Sequence, residues 1–111
     1  MSEDRPGAVI ETIRGRIRRN QFRLSKHVTK RMDLRGWAVA DIREVVLAGE
    51  IIRECPDEKP YPEYLFLGYP GAANAPCYVV VASNDETVVV TVHDYDPEIY
   101  EPDYRTRRKQ Q

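Results

Sequence analysis

The stretch YVVVASNDETVVVTVH, residues 78–93, decides the fold class. Two runs rich in Val and Thr flank a tight Asn-Asp turn, and this arrangement is typical of a β-hairpin. Both runs are apolar at nearly every position. We therefore expect both strands to be central in a sheet and covered, at least in part, on both faces.

Strand-like segments come directly before the hairpin, and helix-like segments come before those strands. Residues 50–55 and 64–69 are rich in Ile, Leu and Tyr and are separated by a proline-rich loop, so they are predicted strands. Further upstream, apolar residues recur at helical spacing and predict three helices, over residues 8–20, 25–35 and about 38–48. Helices followed by four strands predict an α+β fold, with a four-stranded, mostly antiparallel sheet and the helices on one face.

Several residues mark the expected ends of these elements. Ser25 is the expected N-cap of the second helix, and Gly36 is its expected C-terminal stop. Residues 22–24 predict either a short strand or a lead-in to that helix. Residues 96–111 are polar, and we expect a helical turn followed by a disordered tail there.

The composition fits a single globular domain. The chain has 111 residues, of which 41% are hydrophobic and 32% charged, so it has room for one modest core. These values exclude a multidomain enzyme and a collagenous or disordered chain, and no apolar run reaches the ~18–20 residues that span a bilayer. We expect one domain over residues 1–111, with a core at 22–95, an additional basic amphipathic helix within 1–21 and the polar tail.

The two cysteines, Cys55 and Cys77, bear on the compartment of the protein. A small secreted domain usually carries several disulfides, and neither residue belongs to a Cys-x-x-Cys pair. The N-terminus also lacks the basic-then-apolar pattern of a secretory signal. We therefore expect two reduced thiols in a cytoplasmic protein, with a single disulfide in an exported protein as the alternative.

The net charge of −1 hides a strong separation of charge along the chain. Residues 1–35 hold ten basic and four acidic residues, residues 36–104 hold three basic and fourteen acidic residues, and residues 105–111 hold four basic ones. Such separation can give a basic surface that attracts nucleic acid. The alternative, which the sequence supports equally, is that the helices are simply rich in Arg and the strand ends in Asp and Glu.

Three residues of the second helix could carry chemistry. His27, Arg31 and Arg35 are spaced four apart, so their side chains share one helical face. Guanidinium groups can hold a phosphate and stabilise its developing charge, while an imidazole transfers a proton near neutral pH. This set is suited to cleaving a phosphodiester. The alternative is a surface histidine beside arginines that pair with nearby acids.

His93 and Tyr95 lie at the end of the last predicted strand, where a period of two places both side chains on the same face. His93 is the only imidazole besides His27, so any acid–base pair of histidines must use these two. Such a pair could activate a 2′-hydroxyl and protonate the 5′-oxygen of RNA. The alternative is that His93 is an ordinary polar residue at a strand end.

Two further groups of residues are candidates for RNA binding. Arg14, Arg18 and Arg19 lie outside the apolar stripe of the first helix and could follow an RNA backbone; alternatively, this helix docks an acidic partner. Lys59 and Tyr61, in the proline-rich loop, could supply a charge and a stacking surface for bases, or could be ordinary residues of a rigid loop. The histidines and acids show no metal-ligand spacing, so we expect no metal ion and no other cofactor.

The run FRLSKHVTKRMDLRGWAVADIREVVLAGEIIRECP, followed by KPYPEYLFLG, VVVAS and TVVVTV, resembles the domain-of-unknown-function 4258 family. The resemblance covers residues 22–95 and leaves out the first helix and the tail. One departure is Ala38, where the family usually has a Ser or Thr cap. The matching features are Ser25, His27, Arg31, Met32, Arg35, Gly36, Asp41-Ile42, Gly49-Glu50-Ile51-Ile52 and Pro60-Tyr61-Pro62.

The family is similar to the RelE-like toxins, within the wider group of barnase, EndoU and colicin-type ribonucleases. This resemblance implies two packed helices followed by an antiparallel sheet, metal-independent RNA cleavage through 2′-hydroxyl attack, and an antitoxin-like protein partner. His27, Arg31 and Arg35 fall on the family motif, whereas His93 and Tyr95 correspond only by their position at the end of the last strand. The expected function is a toxin-like endoribonuclease. The alternatives are a non-catalytic RNA- or protein-binding module of the same fold and a regulatory subunit that docks a partner.

Overall fold

Three helices and five strands form the described part of the chain, residues 6–109 of a computed structural model. One helix, one strand, two helices and four strands follow one another, so the α+β prediction is confirmed. The helices are α1 (Pro6–Arg18), α2 (Lys26–Arg35) and α3 (Val39–Ala48), and the strands are β1 (Arg23–Leu24), β2 (Glu50–Cys55), β3 (Glu63–Gly68), β4 (Cys77–Ser83) and β5 (Thr87–Asp94).

The strands form one sheet in the order β1-β5-β4-β3-β2. Strands β2 to β5 are antiparallel neighbours, as predicted. The predicted number of four strands is wrong, because β1 adds a fifth strand that pairs parallel with the start of β5. Of the two alternatives predicted for residues 22–24, the structure shows the short strand rather than a lead-in to α2. A strand of two residues is too short for an alternation of apolar and polar side chains to decide between them in the sequence.

The β4–β5 hairpin occupies the middle of the sheet, and most of its apolar side chains are buried. A β-bulge at Val90 shifts the pairing of the two strands by one residue, so that Val80 pairs with Thr91. Since β1 pairs only with Val88 and Val89, no strand of residues 6–109 lies on the outer side of the second half of β5. Helix α2 packs against this open edge.

The helices cover one face of the sheet and build the main core with it. The Ser25 Oγ accepts a hydrogen bond from the Val28 N–H at 3.0 Å, and Gly36 has a positive φ of 76°, so both predicted ends of α2 are confirmed. Ala38 offers no side-chain cap to α3, but the Asp41 carboxylate accepts a hydrogen bond from the Ala38 N–H at 2.9 Å. The core includes Ile13, Ile17, Val28, Met32, Ile42, Val45, Val46, Phe66, Val79, Val81, Val89 and Val92.

Residues 97–108, which we call the C-terminal segment, cover the other face of the sheet. Tyr100 is 4% exposed and stacks on Tyr78 of β4, with ring centroids 4.5 Å apart. The Tyr78 hydroxyl donates a hydrogen bond to the Tyr104 carbonyl at 2.7 Å. The expectation of a disordered tail is therefore wrong for this segment, because its tyrosines bury apolar surface against the sheet. Residues 110–111 lie outside the described part of the chain.

The two cysteines are both free, as predicted. Cys77 is buried in the main core, and this burial raises the pKa of its thiol to about 12. Between residues 6 and 109, no helix is long and apolar enough to cross a membrane.

Candidate functional site

A cleft of about 420 Å³ lies where α2 meets the open edge of β5. Arg31 and Arg35 contribute to it from α2, His93 lies on its strand side, and Tyr95 and Ile99 come from the residues after β5. We call it the α2–β5 cleft. Four of the five predicted catalytic residues line it: Arg31, Arg35, His93 and Tyr95.

Hydrogen bonds to the backbone of β5 fix the position of α2 beside this cleft. The Ser25 N–H donates to the Val89 carbonyl at 3.0 Å, and the Ser25 hydroxyl donates to the carbonyl of the bulge residue Val90 at 2.8 Å. Further along the helix, the Arg31 Nε donates to the Val92 carbonyl at 3.0 Å. These bonds anchor one face of α2 against the strand.

Arg31 is half-buried, and within the described residues no acidic neighbour neutralises its guanidinium group. Its Nε donates a hydrogen bond to the Val92 carbonyl, and neither Nη group has a hydrogen-bond partner among residues 6–109. In the same part of the chain, no carboxylate lies within 4.0 Å of it. Two Nη groups directed by a fixed Nε suit the oxygens of a phosphate.

Arg35 differs from Arg31 because a carboxylate already balances its charge. Its Nη1 lies 3.0 Å from Oδ2 of Asp94, and the two side chains are 52% and 41% exposed. The Trp37 indole N–H donates to the other oxygen of Asp94 at 3.2 Å. Arg35 and Trp37 therefore hold Asp94 at the end of β5, and a phosphate would have to compete with Asp94 for Arg35.

His93 lies flat against Tyr78, its cross-strand partner, with ring centroids 4.9 Å apart and planes 5° from parallel. Burial lowers the pKa of the imidazole, and the positive charge of Arg31 lowers it further. His93 is therefore neutral at pH 7. The two nitrogens of His93 make no hydrogen bond within the described residues. Since no side-chain nitrogen or oxygen in that part of the chain is fully buried without a partner, these two nitrogens are accessible to solvent and to a ligand. A neutral, accessible imidazole can accept a proton.

Tyr95 lines the cleft, but its hydroxyl group is occupied. It donates to the carbonyls of Tyr100 and Glu101, both at 3.3 Å. Its ring meets that of Tyr104 edge-on, with centroids 4.8 Å apart. Tyr95 therefore holds the C-terminal segment in place, and its proton is not free for a substrate.

His27 is the one predicted catalytic residue that does not line the α2–β5 cleft. It is exposed and lies on α2 one helical turn before Arg31. Its side chain makes no hydrogen bond or ion pair in the part of the chain that the structure describes. The predicted His27–His93 pair therefore does not face a single cavity.

A comparison with known families matches residues 24–94 to the family described as Domain of unknown function (DUF4258). The chain belongs to this family. The DUF4258 match runs from the end of β1 to the end of β5 and includes Arg31, Arg35 and His93. It ends before Tyr95 and the C-terminal segment, so one wall of the cleft lies outside it. Searches of the curated proteins and of the solved structures find no significant match.

The three arginines predicted to bind RNA through α1, a helix outside the DUF4258 match, have different surroundings. Arg14 is half-buried: its Nε donates to the Val46 carbonyl and its Nη2 to the Gly49 carbonyl, both at 2.8 Å. The prediction that Arg14 lies on the solvent side of α1 with Arg18 and Arg19 is wrong, because its guanidinium stabilises the C-terminal end of α3. Arg18 and Arg19 are exposed, as expected, and the Arg19 Nε donates to the Gln21 side chain at 3.0 Å.

Lys59 and Tyr61 lie at the opposite end of the sheet from the α2–β5 cleft. Their loop joins β2 to β3 beside the β4–β5 turn, whereas the cleft lies at the other end of β5. Lys59 is exposed, and the Tyr61 hydroxyl donates to the Glu86 carboxylate at 3.4 Å. That carboxylate also pairs with Arg23 at 2.9 Å. These two residues are therefore remote from the cleft.

Sequence reasoning missed the residues that position the cleft. Trp37 follows the family motif directly, but its bond to Asp94 spans 57 residues, and no local pattern indicates it. Tyr78 supports His93 through a pairing that depends on the bulge at Val90. Among residues 6–109, no group of three or more His, Cys, Asp and Glu side chains is placed to hold a metal ion.

Proposed function

We propose that the protein is a toxin-like endoribonuclease that binds an RNA phosphate at Arg31 and transfers a proton through His93. The observation that carries this proposal is the pairing of a half-buried, un-neutralised guanidinium with a neutral, accessible imidazole in one cleft. Helices packed on one side of a mostly antiparallel sheet are also expected of a RelE-like ribonuclease, and this supports the same function.

The proposed reaction needs no metal ion and balances with groups of this chain. Neutral His93 accepts the proton of the ribose 2′-hydroxyl, and the 2′-oxygen attacks the phosphorus atom. The Arg31 Nη groups donate to the non-bridging oxygens and stabilise the charge that develops there. The bond to the 5′-oxygen breaks, and this oxygen takes a proton from an acid. His27, one turn from Arg31, is the proposed acid, and the products are a 2′,3′-cyclic phosphate and a 5′-hydroxyl.

A second candidate function is a non-catalytic module that binds RNA or protein. It is favoured by the state of three of the predicted catalytic residues. Arg35 is paired with Asp94, the Tyr95 hydroxyl is occupied by backbone carbonyls, and His27 does not line the cleft. Under this function the cleft holds a phosphate at Arg31 without cleaving the RNA. An antitoxin-like protein is the proposed protein partner in either case.

Cleavage of an end-labelled RNA pool by purified protein tests the proposal. Arg31→Gln should lower the cleavage rate by about 10²–10³-fold, the usual effect of removing a group that stabilises transition-state charge. Lys30→Gln is the matched control, because Lys30 is an exposed cation on the same helix and does not line the cleft. Equal rates for Arg31→Gln and Lys30→Gln would refute the role of Arg31. RNA binding without any cleavage would favour the non-catalytic module.

His93 and His27 are tested in the same assay. His93→Gln and His27→Ala should each lower cleavage by roughly 10²-fold or more, since each removes a proton-transfer group. Thermal unfolding of each variant shows whether it is folded. If a folded His27→Ala protein cleaves at the wild-type rate, His27 is not the acid.

A further inference from the structure

A second cavity, of about 250 Å³, lies on the sheet face that the C-terminal segment covers. We call it the second-face pocket. Strands β3 and β4 supply its floor through Leu65 and Val80, which are cross-strand partners. The C-terminal segment supplies its wall through Ile99 and Tyr100. The cavity is thus lined by apolar side chains on two sides, and one of them, Tyr100, presents an aromatic ring.

One acidic and two arginine side chains are also among the residues that line the second-face pocket. The Glu63 carboxyl group can accept hydrogen bonds, and burial raises its pKa. Arg53 and Arg107 are exposed cations, and neither lies within 4.0 Å of a carboxylate in residues 6–109. The pocket therefore offers both hydrogen-bond donors and an acceptor beside its apolar surfaces.

The second-face pocket adjoins the α2–β5 cleft. His93 and Ile99 line both cavities. A ligand that occupies both cavities would place an anionic group at Arg31 in the cleft. The adjoining part of the ligand would need an apolar face for Leu65 and Val80 and a polar edge for Glu63. A nucleotide joins these two chemical features in one molecule.

We infer that the second-face pocket binds one nucleobase of the RNA whose phosphate is held at Arg31. This inference rests on the proposed function, because it takes the α2–β5 cleft as the phosphate site. The base lies against the apolar floor of Leu65 and Val80, and its polar edge meets Glu63. The family match ends at residue 94, so the wall of the pocket comes from outside it, and the C-terminal segment contributes to base preference.

Binding of small probes tests the inference without requiring cleavage. The probes are the four nucleoside 3′-monophosphates and ribose 5-phosphate, which has the sugar and the phosphate but no base. Titration calorimetry or NMR titration of the full chain measures each affinity. We expect nucleotides to bind about tenfold more tightly than ribose 5-phosphate, because only a nucleotide carries a base that buries apolar surface in the pocket.

Two variants locate the base. Val80→Phe fills the pocket floor, so it should remove the preference for nucleotides and leave the affinity for ribose 5-phosphate unchanged. Glu63→Gln replaces the acceptor at the pocket and should change the ranking of the four bases by several-fold. Glu54→Gln is the matched control, because Glu54 is an exposed acid that does not line this pocket. Thermal unfolding shows whether each variant is folded. If Val80→Phe does not fold, the base ranking of Glu63→Gln still tests the inference.

The outcomes separate this inference from the proposed function. Equal affinity for nucleotides and ribose 5-phosphate, or no measurable binding of any probe, would overturn the base pocket. An unchanged base ranking in Glu63→Gln would also overturn it. If nucleotides bind with the expected preference but RNA is not cleaved, the pocket stands and the ribonuclease proposal fails.

Discussion

Replacing Arg14 by Met should destabilise the protein, because the Arg14 guanidinium joins two helices. Its Nε and Nη2 donate hydrogen bonds of 2.8 Å to the carbonyls of Val46 and Gly49 at the end of α3. Its guanidinium carbon also lies 5.9 Å from the centre of the Phe66 ring. Met keeps a long apolar side chain and a similar helix propensity, but it donates no hydrogen bond.

The expected loss follows from these contacts. A hydrogen bond from a charged donor contributes roughly 1–2 kcal/mol at a site where water can partly replace it. The cation–π contact adds about 0.5–1 kcal/mol. Since the same group makes all three contacts, the contributions overlap, and we expect Arg14→Met to lower the free energy of unfolding by about 2–3 kcal/mol.

Urea denaturation followed by the fluorescence of Trp37, the only tryptophan, measures this loss. Arg18→Met is the control, because Arg18 lies one turn further along α1 and is exposed. It should lower the free energy of unfolding by less than about 0.5 kcal/mol. Equal losses for the two variants would refute the role assigned to Arg14.

Three further predictions concern metals, pH and salt. RNA cleavage should survive excess EDTA and leave a 2′,3′-cyclic phosphate, which chromatography of the products detects. Burial lowers the pKa of His93 below the ordinary 6.5, so the unfolded chain binds a proton at this residue more readily than the folded chain does. The free energy of unfolding should therefore fall as the pH drops below about 6.5, and it should fall less in the His93→Gln variant. Replacing both Arg18 and Arg19 by Gln should weaken RNA binding and reduce the slope of log affinity against log salt by about one to two units.

Each of these three predictions has an outcome that contradicts it. Cleavage that stops in EDTA and returns with Mg²⁺ would rule out the mechanism proposed here. A His93→Gln variant with the wild-type pH dependence would show that other groups cause it. An unchanged salt slope in the double variant, together with loss of an acidic protein partner, would assign the exposed face of α1 to protein binding.

The features of the fold that could be predicted depend on residues close together in the chain. Ser25 and Gly36 end α2 through bonds within one helical turn, and the central hairpin has its turn between two apolar runs. The surroundings of Arg14 could not be predicted in this way. Its acceptors lie 32 and 35 residues later, and a helical pattern reports only that Arg14 lies beside the apolar stripe.

The candidate site shows the same limit. The spacing of Arg31 and Arg35 correctly indicates one face of α2, but their different roles depend on Asp94, which is 59 residues from Arg35. His27 shares the helix and does not line the cleft, because the cleft lies towards the C-terminal end of α2. The C-terminal segment has a polar composition, and nothing in that composition indicates that its tyrosines complete the wall.

The bulge at Val90 determines which face of the sheet the side chains of Val92 and His93 occupy. With regular pairing from the β4–β5 turn, His93 would stand opposite Cys77, on the face that the helices cover, and Val92 would stand on the other. The additional residue exchanges these two orientations, so that Val92 enters the main core and His93 faces the cleft. Deletion of Val90 would therefore leave Val92 opposite Val79 and His93 opposite Tyr78, because the remaining residues would pair regularly. Insertion of a residue between Val90 and Val92 that pairs regularly would instead exchange the two faces again and place an isopropyl group in the cleft where the imidazole now stands.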